Sequence, residues 1–136
     1  MTSHSIYTFI TQAISEDLGR GDLYALFAPT KKAKAYVLAK EDGIFSGELY
    51  LTALAQYFHL NLTFLRKDGQ SFHQGEHLCE LEGGYVEILQ CERVLLNILA
   101  HSSGIATLAH HYSTLIKDTP VKLLDTRKTR PLLREL

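Results

Sequence analysis

A long helical pattern follows several short strand patterns, and this change of period at Tyr85 constrains the fold more than any other feature. After Tyr85, apolar residues recur every three or four positions, which is typical of an amphipathic α-helix. They are Val86, Leu89, Val94, Leu95, Ile98, Leu99, Ile105, Leu108, Ala109, Tyr112, Leu115 and Ile116. Because this pattern is longer than an ordinary helix, we predict a break or kink at Ser102-Ser103-Gly104. The two periods together indicate an α+β fold.

Two further helices are predicted before Tyr85. Apolar residues repeat at helical spacing from Ile6 to Leu18, and the glycines of "EDLGRGDL" favour the end of this first helix. A second helix is predicted over residues 47–58, and Ser46 is placed to cap its N-terminus.

Strands are predicted between and after these helices. They fall within residues 33–40, "IFSG", "LNLTFLRKDGQSF" and "EHLCELEGG". After the long helical pattern, residues 121–125 are expected to form another strand, and "RPLLREL" is expected to begin another helix.

Composition and charge exclude several classes of protein. The 136 residues are 46% hydrophobic and 21% charged, with a formal net charge of -1, whereas a general nucleic-acid binder is usually basic. No apolar run approaches the roughly 20 residues of a membrane span. The N-terminal "MTSHSIYTFITQAISEDLG" lacks the basic start and apolar core of a secretory signal. We therefore expect a cytoplasmic protein that binds neither nucleic acid nor membranes, with Cys79 and Cys91 reduced.

The strand predicted at residues 121–125 is followed by three cations and two hydroxyls. Arg127, Lys128 and Arg130 alternate with Thr126 and Thr129. In β/α folds, ligands bind at the carboxyl ends of strands. Arginine and lysine bind carboxylate or phosphate oxygens, and threonine hydroxyls can donate to the same oxygens. This segment is therefore a candidate site for an anionic ligand, and the alternative is a solvated basic loop.

Arg93 and the histidines give weaker signals. Arg93 lies next to Glu92 in the helical pattern, where periodicity alone indicates a solvent-facing arginine or an ion pair within the helix. The 7 histidines include no pair at a spacing typical of zinc ligands. We therefore predict no metal ligand within the chain.

Several segments in a fixed order resemble the quinolinate phosphoribosyltransferase family, also called carboxylating nicotinate-nucleotide pyrophosphorylase. They are "EDLGRGDL", "AKEDGIFSG", "DGQSFHQGEHLCELEGG", "ERVLLNILAHSSGIAT" and "LLDTRKTRPLLR". The resemblance implies a glycosyltransferase of NAD biosynthesis that converts quinolinate and phosphoribosyl pyrophosphate to nicotinate mononucleotide, pyrophosphate and CO₂. It also implies a homodimer with shared active sites and a requirement for Mg²⁺, which acts with phosphoribosyl pyrophosphate.

The resemblance assigns roles to four residues. Thr126, Arg127 and Lys128 correspond to the family's "TRK", which binds the quinolinate carboxylates, and Lys128 is also the predicted catalytic residue. Arg93 corresponds to the arginine of "ER", which reaches the active site of the partner subunit.

The resemblance also implies two domains. Residues 1–117 would form an N-terminal α/β sandwich and dimerisation domain, and residues 118–136 would begin an incomplete α/β barrel. The family's later segments, which serve the ribose and the metal, do not occur, so we expect a truncated chain that is inactive alone. Two alternatives remain, namely a non-catalytic dimerising fragment and a homologous phosphoribosyltransferase-like protein associated with molybdenum transport.

Overall fold

The fold combines three helices with two small antiparallel sheets, which confirms the mixed α+β class. A computed structural model of the protein describes residues 4–130. The elements are α1 (His4–Leu18), a 3₁₀ turn (Tyr24–Leu26), β1 (Lys32–Leu38), β2 (Gly43–Ile44), α2 (Glu48–Tyr57), β3 (Asn61–Phe64), β4 (Ser71–Phe72), β5 (His77–Gly84) and α3 (Tyr85–Leu115). Within the described residues, no helix has both the length and the apolar character needed to cross a membrane.

The larger sheet has the order β1-β5-β3, so β5 lies at its centre, and β2 pairs with β4 in a separate two-stranded sheet. Side chains alternate in burial along β1, as expected of a strand with one face toward the core. The core lies between the sheets and the helices, where α3 contacts β1, β2, β5, α1 and α2. Its most completely buried side chains are Phe45, Ile10, Leu51, Leu54, Cys79 and Cys91.

The helix α3 is continuous through Ser102-Ser103-Gly104, so of the predicted break or kink, the break does not occur. Ser102 and Ser103 are buried, and their hydroxyls bond to the backbone of the segment that precedes α2. The Ser103 Oγ accepts a hydrogen bond from the Ser46 N–H at 3.1 Å. The Ser102 Oγ also donates to the Ile98 carbonyl one turn earlier, at 2.8 Å. Small polar residues here therefore allow close packing between α3 and another segment instead of ending the helix.

The helix α2 is capped by Asp68 rather than by Ser46, so the predicted capping residue is wrong. The Asp68 Oδ1 accepts hydrogen bonds from the backbone N–H groups of Gly47, at 2.8 Å, and Glu48, at 3.1 Å. The Glu48 carboxylate accepts one from the Asp68 N–H in return. The two residues bond reciprocally across the start of α2, as the two members of a capping box do, although they come from distant parts of the chain and bond to different N–H groups. Ser46 is instead bonded through its backbone to α3.

Residues 121–125 do not form a strand, so this prediction is wrong for the described chain. Val121, Leu123 and Leu124 are 60%, 50% and 81% exposed. A strand is stabilised by hydrogen bonds to a neighbouring strand, and within residues 4–130 no strand pairs with this segment. No closed barrel is present in the described part. The helix predicted for "RPLLREL" covers residues 130–136, of which residues 131–136 lie outside the described residues.

Candidate anion-binding site

Arg93 lies on the first half of α3, on a helix that is anchored by its apolar face. Val94, Leu95 and Ile98 are buried in the core of the same domain. The Arg93 side chain, in contrast, is 76% exposed. The apolar residues therefore fix the helix, while the guanidinium remains accessible to a ligand or to another subunit.

The carboxylate nearest to Arg93 belongs to Asp17, on the last turn of α1. The Arg93 Nε lies 3.3 Å from the Asp17 Oδ1, and the Asp17 side chain is only 19% exposed. Sequence periodicity indicated a solvent-facing arginine or an ion pair within the helix. The structure shows an exposed arginine whose ion pair joins two helices. Asp17 was missed as a partner because "EDLGRGDL" indicated only the end of a helix.

The segment after α1 is attached to the same face of α3. The helix ends at Leu18, as predicted, and Gly19 and Gly21 adopt positive φ angles of 51° and 117°, which glycine tolerates best. Asp22 then accepts a hydrogen bond from the Gln90 Nε2, at 3.4 Å. Gln90 precedes Arg93 by three residues, so the two lie on one face of the helix. "EDLGRGDL" thus supplies two carboxylates to this face.

A groove of about 730 Å³ opens beside Arg93, between α1 and α3. Its polar lining residues are Glu16, Asp17, Arg93, Asn97, His101 and Arg130. Two arginines therefore reach one groove, one from α3 and one from the segment after it. Such a pair can bind carboxylate or phosphate oxygens, because guanidinium groups donate two parallel hydrogen bonds to these anions.

Thr126, Arg127 and Lys128 are exposed and do not line this groove. The Thr126 N–H donates to the Asp125 Oδ1 at 2.6 Å, and the Lys128 N–H donates to the Thr126 Oγ1 at 3.3 Å, so side chains here bond to their own local backbone. Among residues 4–130, no carboxylate lies within ion-pair distance of Arg127 or Lys128. Of the predicted cationic segment, the structure therefore brings only Arg130 close to Arg93.

A family model described as "Quinolinate phosphoribosyl transferase, N-terminal domain" matches residues 6–103. The chain belongs to the quinolinate phosphoribosyltransferase family. The match includes Asp17, Asp22 and Arg93, and it ends before Thr126.

Individual relatives agree with this assignment. The chain is 37% identical over 125 residues to a "Probable nicotinate-nucleotide pyrophosphorylase [carboxylating]" of Bacillus subtilis, covering 89% of the chain and 43% of the relative. It is also 37% identical to the chloroplastic enzyme of that name from Arabidopsis thaliana, over 97% of the chain and 40% of the relative. The structure of the nicotinate-nucleotide pyrophosphorylase from Francisella tularensis superposes with a TM-score of 0.88 at 29% identity, over 94% of the chain and 47% of that structure. The chain therefore spans less than half the length of these relatives.

Within residues 4–130, no group of three or more His, Cys, Asp or Glu side chains is arranged to hold a metal ion.

The two cysteines are free and buried, and burial raises the pKa of each thiol to about 12. They are therefore suited to packing and not to nucleophilic chemistry.

Proposed function

We propose that the chain forms the N-terminal part of an enzyme that converts quinolinate and phosphoribosyl pyrophosphate to nicotinate mononucleotide, pyrophosphate and CO₂. The observation that supports this most directly is the family match over residues 6–103, together with relatives that carry the pyrophosphorylase name. Residues 1–117 then correspond to the N-terminal α/β sandwich and dimerisation domain. Residues 118–136 correspond to the start of the barrel.

The cations after α3 suit a substrate with two carboxylates. In this proposal, Arg127 binds a quinolinate carboxylate through its guanidinium fork, and Thr126 donates its hydroxyl to the same group. Lys128 adds a compact positive charge beside the reacting carboxylate and is the proposed catalytic residue. Arg127 and Lys128 are both exposed, so their side chains are accessible to an external anion.

Arg93 in this proposal acts in the active site of the partner subunit of a homodimer. Its 76% exposure on a helix anchored by buried neighbours supports this, because the side chain can reach beyond its own domain. The Mg²⁺ requirement implied by the family concerns phosphoribosyl pyrophosphate. Its ligands are proposed to lie outside the described residues, so we assign no step of the reaction to a metal bound by them.

Mixing two inactive variants tests both the activity and the shared site. In the whole protein that carries this chain, Arg93→Ala and Arg127→Ala should each inactivate the homodimer. A mixed dimer contains one site with both substitutions and one site with neither. Random exchange makes half of the dimers mixed, so the mixture should regain about a quarter of the wild-type rate of nicotinate mononucleotide formation.

The controls separate the possible explanations. Each variant taken alone through the same exchange protocol should remain inactive, and native mass spectrometry should confirm that mixed dimers form. A mixture that stays inactive despite complete exchange would show that Arg93 does not act in the partner's site. A wild-type protein that forms no nicotinate mononucleotide would contradict the proposed activity and favour a non-catalytic dimerising module.

A further inference from the structure

We propose that Asp17 is a positioning residue that holds the Arg93 guanidinium in the orientation needed to bind the substrate carboxylate. This inference rests on the proposed function, because it concerns the arginine that serves the active site there. It assigns a role to "EDLGRGDL" that goes beyond ending α1.

The contact with Asp17 leaves the guanidinium accessible to an anion. The Asp17 Oδ1 lies 3.3 Å from the Arg93 Nε, which is ion-pair distance without the alignment of a hydrogen bond. Among the described residues, no second carboxylate lies within ion-pair distance of Arg93. Because its side chain is 76% exposed and a guanidinium carries five N–H donors, Arg93 can bind an external carboxylate while this ion pair persists.

Asp17 is itself held firmly with respect to α3. It lies on α1, whose buried residues Ile6, Ile10 and Ile14 pack in the core. The turn after α1 is attached to α3 by the hydrogen bond between Asp22 and Gln90. Asp17 thus lies between the buried part of α1 and the hydrogen bond of Asp22, and both hold the chain against the domain. The Asp17 side chain is 19% exposed, whereas that of Arg93 is 76% exposed. The aspartate is the fixed partner of the pair, and the arginine is the accessible one.

The contact is better suited to positioning than to stability. Ion pairs with an exposed partner contribute little to folding, since water competes and the side chains lose freedom. A long arginine side chain also loses rotamer freedom when it binds a ligand, and a preformed contact removes part of that cost before binding. Asp17 should therefore affect substrate affinity more than stability.

Steady-state kinetics of the whole protein test this inference. At saturating phosphoribosyl pyrophosphate, Asp17→Ala should raise the KM for quinolinate about 3- to 10-fold, with a smaller change in kcat. The matched control is Glu87→Ala, because Glu87 is an exposed carboxylate on the same helix as Arg93 that lies outside the groove and forms no ion pair among the described residues; its KM should stay within about twofold of wild type. In an Arg93→Lys background, which has no Nε to hold, Asp17→Ala should have no further effect.

A spectroscopic measurement on the 136-residue chain examines the contact without any activity. The ¹⁵N-labelled Nε–H signal of Arg93, assigned by its loss in Arg93→Lys, should shift in Asp17→Ala, which removes a carboxylate 3.3 Å from Nε, but not in Glu87→Ala. The proposal is overturned if this signal does not respond, if Asp17→Ala leaves the KM unchanged, or if the KM rises equally in the Arg93→Lys background. Failure of the proposed function is a different result, because the wild-type protein would then form no product whatever the Arg93 signal shows.

Discussion

Replacing Ser103 with alanine should destabilise the domain although it removes only one oxygen atom. Ser103 is 7% exposed, and its Oγ accepts the Ser46 N–H at 3.1 Å. The substitution leaves that donor without its acceptor, which costs about 1–3 kcal/mol. Alanine is the better helix former, and this offsets up to about 0.5 kcal/mol. We therefore expect the free energy of unfolding to fall by about 0.5–2.5 kcal/mol.

Urea unfolding of the purified chain, followed by circular dichroism at 25 °C, measures this loss. The matched control is Thr114→Ala on the same helix, because among residues 4–130 the exposed Thr114 hydroxyl bonds to the His110 carbonyl one turn earlier and to no distant segment. The control should change the free energy of unfolding by less than about 0.5 kcal/mol. Equal stability of Ser103→Ala and wild type would refute the conclusion that Ser103 joins α3 to the segment before α2.

Two further predictions concern the cysteines and the cations after α3. Burial raises the pKa of both thiols to about 12. Cys79 and Cys91 should therefore not react with a disulfide reagent at pH 8 in the folded chain, whereas both should react in guanidinium chloride. Rapid reaction of the native chain would contradict this prediction. In the whole protein, Arg127→Ala should weaken quinolinate binding by about 2–5 kcal/mol, and Lys128→Ala should weaken it less, as measured from KM. Effects below about threefold for both variants would exclude these residues from the substrate site.

Local sequence signals predicted those elements whose ends are set by local chemistry. Gly83-Gly84 marks the end of β5, and the helical period begins at Tyr85, where α3 starts. Leu18 ends α1 because Gly19 accepts the left-handed conformation at no steric cost. Periodicity and glycine are both visible in a short window, so these boundaries required no knowledge of the tertiary structure.

Errors arose where a distant segment determines what a residue does. The sequence pattern at Ser102 and Ser103 indicated a helix break or kink, yet both hydroxyls bond to Ser46, which is more than fifty positions earlier in the chain. Asp68 caps α2 from 20 residues beyond Glu48. Nothing in the local pattern identifies either partner. Small polar residues are compatible both with a break and with close packing, and only the packed structure distinguishes the two.

The candidate site also combines residues that the local sequence identifies with contacts that only the packed structure shows. Arg93 was identified through a family motif, but its partner Asp17 becomes visible only when α1 and α3 are packed together. Thr126, Arg127 and Lys128 follow a segment that remains exposed and unpaired in the described chain. A binding group is preorganised when its backbone is rigid and its side chain is held. Within residues 4–130, Arg93 has such a partner in Asp17, whereas Arg127 and Lys128 lie on an exposed segment outside both sheets, so a motif identifies all three residues but only the packed structure distinguishes them.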